Sequence, residues 1–364
     1  MHIELDAPNL GEIEKDYLLK VIDSGFVSTF GPFVSEFEER FAGYLNATRA
    51  VSTQSGTAAL HMALYEMGIG KGDEVIVPAL TFVATVTPVM YVHARPVFAD
   101  VEKDTWNIDP KKIEECLSPR TRAIMPVHLY GNPCNMDAIM EIAGKAGLVV
   151  IEDATESLGA VYKGRYTGTI GDLGCFSFNG NKTITTGGGG MIVGRKKERL
   201  EHIKFLVNQA RDESKGYYHP EIGFNYRMTN LEAALGMAQM ERLSTFSDKK
   251  RRFSEIYRKE LSSVPDISFQ GQHEGAESSW WLTCVTFGEK ADLPSLQKAL
   301  REKGVPTRRV FMPVIEFPPF AADNSAFGNS REIYERGLCL PSSTLNSEED
   351  IYYVCTMIKE LVSQ

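Results

Sequence analysis

The 364-residue chain lacks an excess of positive charge: 39 Lys and Arg stand against 48 Asp and Glu, a formal charge of −9. A nucleic-acid binder normally carries a basic stripe, so that class is set aside. A few local donors are still enough for an anionic small ligand. The six cysteines, Cys116, Cys134, Cys175, Cys284, Cys339 and Cys355, form no CxxC pair, and no Cys/His group has zinc spacing. Neither a disulfide scaffold nor a metal site is expected, and reduced cytosolic thiols are. No apolar run reaches the ~18 residues of a membrane helix. The start, Met1-His-Ile-Glu-Leu-Asp-Ala, is acidic and has no apolar signal core. A cytoplasmic protein that touches neither membrane nor nucleic acid is therefore expected. The one glycine run, Gly187–Gly190, is not GxGxxG and is not followed by Lys-Ser/Thr, which rejects dinucleotide and P-loop sites.

What is present alternates. Phe33 to Leu45 is amphipathic, with Phe33, Phe37, Phe41 and Leu45 four residues apart. Gly56 to Met67 is rich in Ala, Leu and Met and closes at Gly68, as a helix does. Strand-like runs follow at Glu74–Val77, Pro96–Phe98, Ala123–Val127, Leu148–Ile151, Cys175–Phe178 and Met191–Val193. Helical stretches such as Asn135 to Ala146 separate several of them, and Lys163-Gly164 marks a small hairpin. The pattern predicts an α/β domain with a mostly parallel sheet between helices. A long helix over Asn230–Leu261 links it to a smaller C-terminal α+β part. That part holds a strand over Trp280–Phe287, a helix over Leu293–Lys303, a Pro-rich loop at Pro313–Pro319 and a last helix over Ser347–Leu361. The division is placed at 1–245 and 246–364.

Lys182 is the residue out of place. Cys175-Phe-Ser-Phe-Asn-Gly-Asn-Lys182 reads as a buried strand and a polar turn, and the glycine run follows. An amine so placed suits pyridoxal 5'-phosphate (PLP), held as a Schiff base. Such a site needs an acid for the ring nitrogen, a phosphate cradle, a flat apolar surface and a partner for the phenolic oxygen. Asp153 ends the apolar run Leu148-Val-Val-Ile-Glu-Asp153, where open α/β sheets bind ligands; taken alone it could as well cap the next helix. Glu156 is a candidate for the phenolic oxygen, and a solvated acid is the plainer alternative. Ser55-Gly56-Thr57 opens a helix whose free N–H groups suit phosphate, unless Ser55 or Thr57 is simply a cap. Ser177 could add a hydroxyl, and Phe82 could be the stacking ring or ordinary core.

Together the segments resemble the DegT/StrS-type nucleotide-sugar aminotransferases, within the fold-type-I PLP enzymes. The resemblance rests on Ser55-Gly-Thr-Ala-Ala-Leu-His61, Pro78-Ala-Leu-Thr-Phe-Val-Ala84, His128-Leu-Tyr-Gly131, Glu152-Asp-Ala-Thr-Glu-Ser-Leu-Gly159, Gly168-Thr-Ile-Gly-Asp172, Phe176 to Gly190, Gly223-Phe-Asn-Tyr-Arg-Met228 and Cys339-Leu-Pro-Ser342. It implies a seven-stranded large domain and a homodimer with shared sites. It assigns Lys182 to the cofactor linkage and proton transfer, Asp153 to the pyridine nitrogen and Glu156 to the phenolic oxygen. Gly56, Thr57 and Ser177 go to the phosphate and Phe82 to the ring face, and Asn225 reaches the phosphate of the neighbouring subunit. His219 and Arg227 are implied near the sugar nucleotide, though each could equally be a surface or interface residue. Asn179 and Gly188 stand where many relatives have His and Glu. That form is similar to members that move the amino group of L-glutamate to C4 of a 4-keto-6-deoxy sugar on UDP or a similar nucleotide, for bacterial glycans. The alternatives are a 3-keto-sugar aminotransferase and, from another class, a non-catalytic PLP-binding regulator. Dehydratases of the family replace the lysine with His, so Lys182 argues for amination. Val27–Pro32, Lys215–Pro220 and Arg308–Phe320 are read as specificity loops. Arg308 and Arg309 are read as an exposed pair or a diphosphate contact.

Overall fold

In a computed structural model that describes residues 2–321 and 326–362, the buried runs become one sheet with helices on both faces. Its strands are β1 (Ala50–Thr53), β2 (Glu74–Pro78), β3 (Arg95–Ala99), β4 (Thr121–Ile124) and β5 (Val149–Asp153), then, after a short hairpin of β6 (Val161–Tyr162) and β7 (Arg165–Tyr166), β8 (Leu173–Ser177) and β9 (Gly190–Gly194). The order is β1-β9-β8-β5-β4-β2-β3. From β8 to β3 all pairings are parallel, and β9 runs against both of its neighbours. This is the mostly parallel seven-stranded sheet that was expected.

The helices are α1 (Glu12–Ser24), α2 (Pro32–Tyr44), α3 (Gly56–Glu66), α4 (Val83–Tyr91), α5 (Pro110–Glu115), α6 (Met136–Ala146), α7 (Lys197–Val207), α8 (Asn230–Leu261), α9 (Leu293–Glu302), α10 (Gly328–Arg336) and α11 (Glu348–Val362). Strand alternation assigns the faces. Val75, Val77, Ile151 and Ile192 pack under α3, α4 and α7. Their neighbours Ile76 and Val150 meet α5 and α6, and Met191 and Val193 meet α2 and α8.

The 32-residue α8 starts at a capping box between Thr229 and Glu232. Its first part, to Phe246, packs with the large sheet. From Phe253 to Leu261 it packs with α9, α11 and a second, antiparallel sheet. That sheet has the order β10-β12-β14-β13, from β10 (Ile267–Phe269), β12 (Cys284–Phe287), β13 (Arg308–Arg309) and β14 (Gly337–Cys339); β11 (Ala276–Glu277) instead joins the β6–β7 hairpin. The N-terminal segment belongs with this second core. Ile3 is buried in it, and the Ser342 N–H donates to the Leu5 carbonyl at 2.7 Å.

The strand expected from Trp280 begins only at Cys284. Trp280 has φ of 54°, a left-handed turn that ends the extended run and re-aims the following Trp281. Helices α1, α4, α5, α7 and α10 were not anticipated.

Glu152, the penultimate residue of β5, fastens two loops. Its carboxylate accepts the N–H groups of Ile170 and Gly171 at 2.6 Å each and of Gly168 at 2.8 Å, and the His128 Nε2–H at 2.9 Å. The Cys134 N–H donates to His128 Nδ1, so the ring proton sits on Nε2. Burial pushes this carboxyl up, but the His128 and backbone hydrogen bonds outweigh it and hold it below the usual value. A depressed carboxylate contributes stability above its unfolded pKa and loses it as pH falls through the folded one. Glu152→Ala is expected to cost about 3 kcal/mol or more in urea unfolding at neutral pH, because buried donors lose their acceptor. The gap to wild type is expected to narrow in acid.

Candidate active site

At the carboxyl ends of β5 and β8, beside the N-terminus of α3, lies a cavity of about 300 Å³. Gly56, Thr57, Phe82, Asp153, Glu156, Ser177 and Lys182 line it together. Three expected residues are not on its wall. Asn225 is exposed and bridges to Asn208. His219 Nδ1 lies 2.8 Å from the Gln209 carbonyl. The Arg227 guanidinium covers Phe30 at 5.2 Å.

Lys182 sits in a turn closed by its own N–H donating to the Asn179 carbonyl at 2.9 Å. Its amine lies 3.8 Å from Glu156 Oε1 and 4.0 Å from the centre of the Trp281 ring. Burial holds that amine below the ordinary lysine range, against the opposing pull of Glu156 and Asp153. Burial likewise pushes Glu156 up to about 7, opposed by the Lys182 charge and by the Tyr130 N–H, which donates to it at 2.9 Å. Asp153 is fixed from both sides: the Thr85 hydroxyl donates to Oδ2 at 2.7 Å and the Thr155 N–H to Oδ1 at 3.1 Å.

The opposite end of the cavity is built for an anion. The Ser55 hydroxyl caps α3 by accepting the Ala58 N–H at 3.0 Å. The Thr57 N–H has no hydrogen bond to protein among the described residues, and the helix dipole adds its positive end. A Cβ at Gly56 would lie 2.8 Å from Ser177 Cβ, so glycine is what lets the helix start against Ser177. Behind the lysine, Gly190 makes a similar approach, where a Cβ would lie 2.5 Å from the Ser55 carbonyl oxygen. Phe82 is half exposed beside the cavity, against Phe311. An anion cradle, a buried carboxylate, a flat ring and an amine at one cavity fit the phosphate, ring nitrogen, ring face and aldehyde carbon of PLP.

Residues 8–359 match the model of the DegT/DnrJ/EryC1/StrS aminotransferase family. The chain belongs to this family. It is 38% identical to GDP-perosamine synthase of Escherichia coli O157:H7, over 100% of this chain and 99% of the relative. It is 40% identical to GDP-perosamine synthase of Caulobacter vibrioides, over 99% and 98%. Among solved structures, the PLP form of Spr1654 from Streptococcus pneumoniae matches with a TM-score of 0.95 at 25% identity, over 100% of this chain and 99% of that one. The chain is thus a PLP-dependent aminotransferase of fold type I.

The family cavity holds residues that the sequence did not single out: Thr85, Asn181, Trp281 and Phe311 line it. Asp6 of the N-terminal segment braces two of the lining residues, accepting from Asn181 Nδ2 and Arg308 Nη1, each at 3.0 Å. Arg308 and Arg309 are not an exposed loop pair. They form β13 and so point opposite ways, Arg308 onto the cavity wall and Arg309 over the Tyr334 ring at 4.8 Å. Asn179 and Gly188, the two departures from many relatives, both line the cavity. Gly56→Ala is expected to weaken PLP binding at least tenfold, about 1.4 kcal/mol, with an unchanged circular dichroism spectrum; a spectrophotometric titration checks it.

Proposed function

We propose that the chain transfers the amino group of L-glutamate to the C4 keto group of a nucleotide-linked 4-keto-6-deoxy sugar. The observation that carries this reading is the full-length similarity to relatives named GDP-perosamine synthase, which supports a nucleotide-sugar substrate. Those names favour a GDP-linked substrate over the UDP form suggested by the segment around Lys182. The choice of C4 rests on that segment, with Asn179 and Gly188 in place.

PLP supplies the aldehyde that takes up the amino group and the protonated ring that accepts electrons from the reacting carbon. Lys182 would hold the cofactor and then, released, carry the proton between donor or sugar carbon and cofactor carbon. Asp153, fixed by Thr85 and Thr155, would keep a proton on the ring nitrogen. Glu156 would face the phenolic oxygen, and its raised pKa lets it share a proton there near neutral pH. Gly56, Thr57 and Ser177 would bind the phosphate and Phe82 would cover the ring. Lys182→Ala is expected to lose turnover, and Asp153→Asn to lose about 100-fold or more while still binding cofactor.

The proposed active form is a homodimer in which the partner subunit's Asn225 completes the phosphate site. Phe26, Phe30, Tyr91 and Ile222 are large apolar side chains more than half exposed, the kind of surface that marks an interface. Phe30 lies against Arg227, and Tyr91 against His61, which in turn packs on Phe224. That surface and Asn225 therefore share one region. A cytoplasmic setting belongs to the same reading and rests on the six free thiols. Mixing inactive Lys182→Ala with an inactive Asn225 variant is expected to restore activity, through mixed dimers holding one intact site. Lack of recovery would count against shared sites.

Incubation with L-glutamate and a panel of GDP-, UDP- and dTDP-linked 4-keto-6-deoxy sugars, with NMR of the products, tests the substrate. Nitrogen at C4 with matching release of 2-oxoglutarate is expected. Nitrogen at C3, or turnover only with 3-keto sugars, would contradict it.

A further inference from the structure

The Lys182 amine has an unusual set of neighbours for a lysine ammonium. Among the described residues it has no hydrogen bond, only Glu156 Oε1 at 3.8 Å and the face of Trp281 at 4.0 Å. Other charges around it come from Asp153 on the large sheet, Arg308 on β13 and Asp6 of the N-terminal segment. In all, two carboxylates, one guanidinium and one indole bear on the amine besides Glu156. Of these only the indole touches it.

The indole is held by contacts on several sides. Trp281 is 2% exposed. Its Nε1–H donates at 2.7 Å to the carbonyl of Asn181, the residue before the lysine, so ring and lysine turn are tied together. One face stacks on Tyr130 with 20° between planes. Its own carbonyl accepts the buried Lys250 amine at 3.0 Å, and a further bond from that amine to the Ser342 carbonyl at 2.9 Å anchors Lys250. Gly131 permits the approach, since a Cβ there would lie 3.0 Å from the Trp281 nitrogen. Packing alone would not require the face of so fixed a ring to meet the amine.

We propose that the face of Trp281 is where the Lys182 amine rests whenever it is not bonded to the cofactor, which makes Trp281 a catalytic residue supplied by the C-terminal part of the chain. An ammonium over an indole gains about 0.5–2 kcal/mol without a directional hydrogen bond. The contact therefore favours the protonated amine but leaves it free to swing back to the cofactor carbon. Lysine hydrogen-bonded at the same place would be more slowly released, and lysine facing only apolar carbon would lose its proton too early.

The test uses enzyme loaded with pyridoxamine phosphate, in which the lysine is free, and reads the Lys182 side chain by NMR with lysine labelled at its ε carbon. Lys182→Arg assigns the signal. In wild type the ε protons are expected upfield of the other lysines, from the indole ring current. Trp281→Leu is expected to remove that displacement and to lower the titration midpoint by about half a unit, the sign following because loss of the indole destabilises the cation. Trp281→Phe is expected to fall between. Biosynthetic replacement of tryptophan by mono-, di- and trifluoro analogues keeps the shape and weakens the ring face. It should lower the midpoint stepwise, and it remains decisive if Trp281→Leu fails to fold. Trp106 and Trp280 change as well but do not touch this amine. A midpoint unmoved by fluorination would overturn the proposal, as would a Lys182 signal with no ring-current displacement.

Discussion

Two consecutive carboxylates end β5 and point to opposite faces of the sheet, and the site depends on that alternation. Glu152 turns toward the loops at 128–134 and 168–171 and binds them through four hydrogen bonds. Asp153 turns into the cavity, where Thr85 and Thr155 hold it. One fixes the walls and the other supplies a charge at a set point between them. A slip of one residue in the β5 register would exchange the two roles and leave both groups unsatisfied, so the parallel pairing of β5 with β4 and β8 is itself a condition for the chemistry.

Around that charge the structure arranges a shortage of water. Lys182 and Glu156 are both largely buried, and burial moves their pKa values toward each other, the amine down and the carboxyl up to about 7. A proton shared between groups of closer pKa moves at lower cost, which suits the proton transfer proposed for Lys182. The ceiling over this pair comes from chain far away in sequence: Trp281 and Phe311 from beyond α8, and Arg308 braced by Asp6 of the N-terminal segment packed on the second core. The 32-residue α8, with one half in each core, sets the ceiling against the floor.

The floor was legible in the sequence. Lys182, Ser177, Asp153, Glu156, Gly56 and Thr57 lie at strand ends or a helix start, where local pattern and the geometry of open α/β sheets locate them. Of the ceiling, only the stretch Arg308–Phe320 was read, as a specificity loop. Trp281 owes its direction to a left-handed Trp280, and Arg308 to the parity of a two-residue strand; neither has a periodic signal. Helix α4 was missed because Val-Ala-Thr-Val-Thr-Pro is poor helix sequence; burial of Val86 and Val89 under the sheet face makes it a helix. Helix α1 was missed because one of its buried positions is Glu14, satisfied by Arg242 and Gln239 rather than by apolar contact. Asn225 stands on the surface of the single chain, and the role proposed for it needs a second subunit, which local sequence does not display.

The claim on which all of this rests is that the Lys182 amine is the one that bonds PLP. The chain offers a competitor in Lys250, also buried and pushed down to about 8 by burial, but bound to two carbonyls away from the cavity wall. Borohydride reduction of the PLP-loaded enzyme fixes the cofactor to whichever amine holds it, and peptide mass spectrometry then reads the position. The account predicts the pyridoxyl mass on the peptide containing Lys182 and on no other; the label on Lys250, or spread over surface lysines with Lys182 unmodified, would contradict it.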